Sequence, residues 1–208
     1  MADSQLAAPE LEAVEIHSMS RSSFIVRGAL AASAVYGVST VAPFVSQALA
    51  QGGGGDVAIL NFALTLEYLE AAFYKKAQGL NLSGDAKKYA KEIGNDEQQH
   101  VDALTAAIKN AGATPVASPK FAFPITDQKS FLKLAQVLED TGVGAYNGAG
   151  PAISDKATLA AAGSIVQIEG RHAAIIRLLN GVNPAPNAFD KSLQMPAVLK
   201  AVKPLIKA

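Results

Sequence analysis

Four stretches of the chain repeat apolar residues at steps of three and four, the spacing that keeps side chains on one face of an α-helix. Along the first, this face reads Leu60, Ala63, Glu67, Glu70, Tyr74; along the second, Ala90, Ile93, Glu97, His100, Leu104. The third gives Leu132, Ala135, Glu139, Gly142, Tyr146, and the fourth Ala162, Ile165, Glu169, His172, Ile176. Residues at the boundaries place the helices. Asp56 is the expected N-cap of the first, which runs to about Gln78 with Lys75 and Lys76 in its last turn and Gly79 as the stop. The second runs from near Asp85 to Asn110-Ala111-Gly112, the third from near Asp127 to Tyr146-Asn147-Gly148, and the fourth from near Asp155 to Asn180-Gly181. No strand signal separates them.

Loop lengths then set the topology. The first and third connections are short, about six residues each, so each joins antiparallel neighbours. The middle one, residues 111–126, holds Pro115, Pro119 and Pro124. Extended, it reaches roughly 50 Å, more than the ~30 Å length of a helix of about 20 residues. It can therefore cross a bundle end to end. The expected fold is all-α: a four-helix bundle over residues 56–182, made of two antiparallel hairpins joined by one long crossover. Residues 183–208 form a tail whose Phe189, Leu193, Val198, Leu199, Val202 and Leu205 predict a short helix sealing one end of the bundle.

The two hairpins repeat each other at an offset of 72 residues. Glu67 matches Glu139, Tyr74 matches Tyr146, Glu97 matches Glu169 and His100 matches His172. Beyond residue 50 the chain has only six glutamates and two histidines, and both histidines fall in a Glu-x2-His pair. Four of the six glutamates are used in the repeat, which makes coincidence a poor account of it. Glu67 and Glu97 lie equally far from the loop between their helices, so antiparallel packing brings them to one level. The second hairpin does the same with Glu139 and Glu169. Four carboxylates converging in an apolar core repel one another and cost several kcal/mol each to desolvate if unpaired. Two divalent cations would remove that objection.

Composition narrows the chemistry further. Half of the residues are hydrophobic, enough for a packed core, and the absence of cysteine excludes disulfides, thiolate zinc sites and iron–sulfur clusters. Residues 28–50 carry no charge, follow Arg21 and Arg27, and end in Ala48-Leu49-Ala50. This predicts an export signal over residues 1–50, cleaved before Gln51 and followed by a Gly-rich linker at 51–55, and a periplasmic or extracellular destination. Ser20-Arg21-Ser22-Ser23-Phe24-Ile25 resembles a twin-arginine motif with Ser22 in place of the second arginine. The acidic residues Asp3, Glu10, Glu12 and Glu15 make Met19 an alternative start. The uncharged run is also long enough to cross about 30 Å of hydrocarbon as an uncleaved anchor. Without residues 1–50 the chain has 16 Lys/Arg against 14 Asp/Glu, and no basic cluster or aromatic platform points to nucleic acid.

The stretch Leu60-Asn61-Phe62-Ala63-Leu64-Thr65-Leu66-Glu67-Tyr68-Leu69-Glu70-Ala71-Ala72-Phe73-Tyr74, together with the doubled Glu-x2-His, makes residues 56–180 resemble the ferritin-like superfamily. Within it the chain is similar to exported bacterial ferritin-like proteins related to plant desiccation-related proteins. The resemblance implies that Glu67, Glu97, His100, Glu139, Glu169 and His172 are metal ligands, with Glu97 and Glu169 bridging. Oxygen-rich sites with two imidazoles suit iron or, as the alternative, manganese. Two ions of iron, with oxygen or peroxide as partner, imply ferrous-iron oxidation or peroxide reduction. A stress or desiccation protein with a mainly structural metal pair is the rival expectation, and a homo-oligomer is compatible with either.

Three features break the repeat. Glu70 faces Gly142 across it, which predicts either a further ligand or a proton carrier, the other orientation being outward beside Lys75 or Lys76. Asp96, whose equivalent is Ile168, lies four residues before His100 and is expected either to orient that imidazole or to be a solvated surface residue. Tyr74 and Tyr146 are expected to hydrogen-bond ligand carboxylates or to relay electrons, and Arg171, beside Glu169, to face solvent or a partner.

Overall fold

The computed structural model describes residues 55–207. The export signal expected over residues 1–50 lies outside the described residues. Four long helices form as the pattern requires: α1 (Asp56–Ala77), α2 (Gly84–Asn110), α3 (Gln128–Ala149) and α4 (Lys156–Leu179). α1 packs along α2 and α3 along α4, while contacts of α1 with α3 and of α2 with α4 join the hairpins. No strand occurs among the described residues, only an isolated antiparallel bridge between Phe121 and Ile206.

Caps explain where the helices begin. Asp127 closes a capping box with Ser130, its carboxylate accepting from Ser130 N at 2.7 Å. Asp155 accepts from Thr158 N at 2.8 Å. These backbone hydrogen bonds hold both carboxyl pKa values below the ordinary aspartate range. Asp56 is not the cap of its own helix, since Gly55 takes that position. Its carboxylate instead accepts from Ser154 N at 2.9 Å and Asp155 N at 2.7 Å, tying the start of α1 to the start of α4. At the C-termini, Gly112 and Gly181 adopt the positive φ that ends α2 and α4. Gly79, the expected stop of α1, does not.

The crossover after α2 runs nearly straight. Val116 N donates to the buried Asn61 Oδ1 at 2.7 Å, and Lys76 Nζ donates to Phe123 O at 2.6 Å. Asn61 and Lys76 are ~22 Å apart along α1, and the chain from Val116 to Phe123 spans about 24 Å when extended. The two anchors thus lay this segment along α1 in largely extended form. Phe123 then packs on Phe73, whose ring also stacks on Phe131 of α3.

The tail differs from expectation. Helix α5 (Met195–Val202) buries Met195, Val198, Leu199 and Val202 against α3 along the flank of the bundle, and does not cap an end. Leu193 N donates to Gly144 O, and further on Ala122 N donates to Leu205 O, both at 2.8 Å. The strap thus runs from the last turns of α3 back to the crossover. An amphipathic eight-residue helix gains more apolar burial along a flank than across helix ends lined by polar caps.

Leu193 sits so close to α3 that a Cβ on Gly148 would lie 2.0 Å from its carbonyl oxygen. Gly148→Ala is therefore expected to lower stability by about 1–3 kcal/mol and to expose residues 190–207 to protease. An unchanged denaturation midpoint would show that the strap does not depend on this contact.

Candidate metal centre

Each long helix delivers one fully buried glutamate to the same layer: Glu67 from α1, Glu97 from α2, Glu139 from α3 and Glu169 from α4. Apolar residues close the layer on both sides. One side holds Leu60, Leu64, Leu104, Ile108, Ala162 and Ile165. The other holds Phe73, Ala90, Ile93, Phe131, Leu132, Leu138 and Ile176. The histidines sit one turn beyond their glutamates, where helical spacing turns them into the layer. His100 Nδ1 lies 3.2 Å from Glu67 Oε2, 3.3 Å from Glu97 Oε2 and 3.1 Å from Glu169 Oε1. His172 Nδ1 lies 2.9 Å from Glu97 Oε1 and 3.7 Å from Glu139 Oε2.

These side chains fall into two groups of four, each with donor atoms within 4.8 Å of one another. One comprises Glu67, Glu97, His100 and Glu169, the other Glu97, Glu139, Glu169 and His172. Glu97 and Glu169 belong to both. All six residues expected as ligands from the sequence are thus brought together.

The tyrosines cross over. Tyr74 donates its hydroxyl to Glu139 Oε1, and Tyr146 donates to Glu67 Oε1. Each closes the layer from a different side by bonding the glutamate of the other hairpin, an exchange the repeat did not reveal. Burial, followed by the charge of the bonded glutamate, pushes both phenol pKa values well up.

Glu70 is buried and points inward, which overturns the outward orientation beside Lys75 or Lys76. A Cβ on Gly142 would lie 3.2 Å from Glu70 Oε1 and 3.3 Å from Glu169 Oε2, so the missing side chain makes the room that Glu70 uses. Asp96 also differs from expectation: its Oδ2 lies 3.3 Å from His172 Nε2, on the other hairpin, and not on His100 of its own helix. Residues four apart on one helix project in parallel, whereas the packed α2–α4 interface brings Asp96 against the neighbouring ring. Arg171 is exposed.

Electrostatics test whether these residues fit a cation. Burial first, and then mutual repulsion, raises the carboxyl pKa values of Glu70, Glu97, Glu139 and Glu169. Burial alone would lower His100, but the close approach of the Glu169, Glu67 and Glu97 carboxylates outweighs that and pushes its pKa up to about 12. Glu97 Oε1, Glu139 Oε2, both oxygens of Glu169 and His172 Nδ1 are buried without a hydrogen-bond partner. The 2.9 Å approach of His172 to Glu97 lacks hydrogen-bond alignment. Unpaired oxygens and an imidazole nitrogen aimed at one another, with excess negative charge, fit hard or borderline metal cations.

The same shifts govern stability when metal is stripped. The folded-state carboxyl pKa values lie above their ordinary 4.5, and that of His100 above its ordinary 6.5. The folded protein then binds more protons than the unfolded chain, so stability falls as pH rises above about 4.5. In EDTA-treated protein the melting temperature is expected to decline from pH 5 to pH 8. Metal-loaded protein is expected to lack this decline, because its ligands bind deprotonated. A melting temperature that climbs with pH in the stripped protein would contradict the proton balance.

A family model described as the ferritin-like domain matches residues 55–182, and no curated protein matches the chain. The match takes in all four long helices and every residue of the buried cluster. With its two hairpins, long crossover and four-carboxylate layer, the chain belongs to the ferritin-like domain family.

Proposed function

We propose that the chain is a dinuclear carboxylate protein that holds two ions of iron, or alternatively manganese, and reduces peroxide. Glu67 and His100 would hold one ion, Glu139 and His172 the other, and Glu97 and Glu169 would be available to both. The observation that carries this reading is the sharing of Glu97 and Glu169 between the two donor groups, which a single-ion site would not need. Four carboxylates also match the charge of two divalent ions.

When bound, a ferrous pair supplies two electrons, and reduction of hydrogen peroxide to two waters consumes two electrons and two protons. The chain's own residues then account for placement and for one of the two protons. Tyr74 and Tyr146 hold Glu139 and Glu67 in orientation through their hydroxyls. Glu70, whose Oε1 lacks a hydrogen-bond partner, holds its proton to higher pH than an ordinary carboxyl because burial disfavours its charged form. It can deliver that proton from Oε1 in the space that Gly142 leaves open. The apolar residues on both sides exclude bulk water. Oxidation of ferrous iron by oxygen would use the same residues, since reduction of oxygen to peroxide also consumes two protons.

Metal occupancy tests the bridging assignment. Glu97→Ala or Glu169→Ala should lose both ions, while Glu92→Ala, at an exposed position of α2, should keep them. Equal metal content in all three variants would sink the ligand set. Peroxide added to the ferrous-loaded protein should produce a ligand-to-metal absorption band, and its absence would assign the pair a structural role.

The proton carrier has a separate test. Glu70→Ala should retain both ions yet slow peroxide turnover by about 10²–10⁴-fold, the usual worth of general acid help. Gly142→Ala should act in the same direction by crowding Glu70 and Glu169. Unchanged turnover in Glu70→Ala would remove it from the chemistry.

A further inference from the structure

We infer that the two halves of the centre are unequal: the position served by His172 is the tight one, the position served by His100 is the exchangeable one, and Asp96 is the positioning residue responsible. This rests on the dinuclear reading above and adds to it a direction.

The His172 ring is held at its outer nitrogen. Nδ1 faces Glu97 at 2.9 Å without a hydrogen-bond partner, and Nε2 meets Asp96 Oδ2 at 3.3 Å. Asp96 Oδ1 in turn accepts from Gln99 Nε2 at 3.4 Å, which steadies the carboxylate. An acceptor at Nε2 selects the tautomer whose Nδ1 lone pair points into the layer. The ring is thus set for a cation before one arrives.

His100 has no such support. Its repeat-equivalent neighbour is Ile168, which cannot accept a hydrogen bond. Among the described residues, the hydrogen bonds and ion pairs of His100 all fall on Nδ1. Its side chain is 11% exposed against 3% for His172. An ion at this position must orient the imidazole itself, and water reaches the ring edge. Loss of an outer carboxylate on a metal-bound histidine typically changes affinity by about 10–100-fold, so the halves should differ by that order. A divalent cation taken up from solution would then enter and leave beside His100, while the ion beside His172 stays.

Cobalt(II) titration of the EDTA-stripped full chain, followed by visible absorption and equilibrium dialysis, tests this without any turnover. Two equivalents are expected, separated by about 10–100-fold in affinity. Asp96→Asn, at a side chain 46% exposed to solvent, should weaken the tighter equivalent by about that factor and leave the weaker one unmoved. His100→Ala should keep one tight equivalent, and His172→Ala only a weak one. Two equivalents of equal affinity in the unaltered chain, or an Asp96→Asn variant that weakens both or neither, would overturn the inequality alone. Failure to bind any cobalt would instead bring down the dinuclear reading itself.

Discussion

Five carboxyl groups, four in one layer and Glu70 beside them, are buried inside an otherwise apolar bundle, and the rest of the structure answers to that constraint. Ionised and unpaired, each would cost several kcal/mol in lost hydration, and their mutual repulsion in a medium of low dielectric adds to it. Only two remedies exist. Either protons neutralise the groups, as the raised carboxyl pKa values and the imidazolium of His100 indicate, or cations do. The layer cannot stabilise the fold by itself, so the apolar clusters on its two sides must. Rigidity follows from the same need, because a loosened layer would admit water and release the charges it confines.

Pseudo-symmetry distributes the load. Each hairpin contributes a glutamate, a Glu-x2-His pair and a tyrosine, and the tyrosines bond across to the opposite hairpin. Neither hairpin can complete its own half of the layer, which couples cluster formation to docking of the two. Where the repeat fails, the site acquires direction. Glu70 against Gly142 places a proton-bearing acid on one face, and Asp96 against Ile168 supports the outer nitrogen of one histidine and not of the other. A site built of two identical halves could not present distinct positions to a small oxidant and to an arriving ion.

The peripheral segments hold this arrangement in register. Asn61 and Lys76 pin the extended crossover along α1, and the strap around α5 covers the flank of α3 with buried apolar side chains. Asp56 links the start of α1 to that of α4. Together they tie both hairpins to one another outside the layer, where hydrogen bonds and apolar contact stabilise without burying charge.

Helical periodicity, capping residues and the 72-residue repeat determined by themselves the four helices, their antiparallel pairing, and the six residues that meet in the core. Those features are local or linear: i to i+3 and i+4 spacing names a face, and loop length names a neighbour. The sequence likewise marked Glu70 and Gly142 as a break in the repeat, though not the direction in which Glu70 points. Tertiary packing decided that, because the room beside a glycine exists only once α1 and α3 are docked. It also moved Asp96 from His100 to His172, crossed the tyrosines, turned Asp56 into a tie between helices and laid the tail along a flank. Each of these depends on the rotation and offset of one helix against another, which the summed packing of the whole core selects and no single stretch of chain encodes.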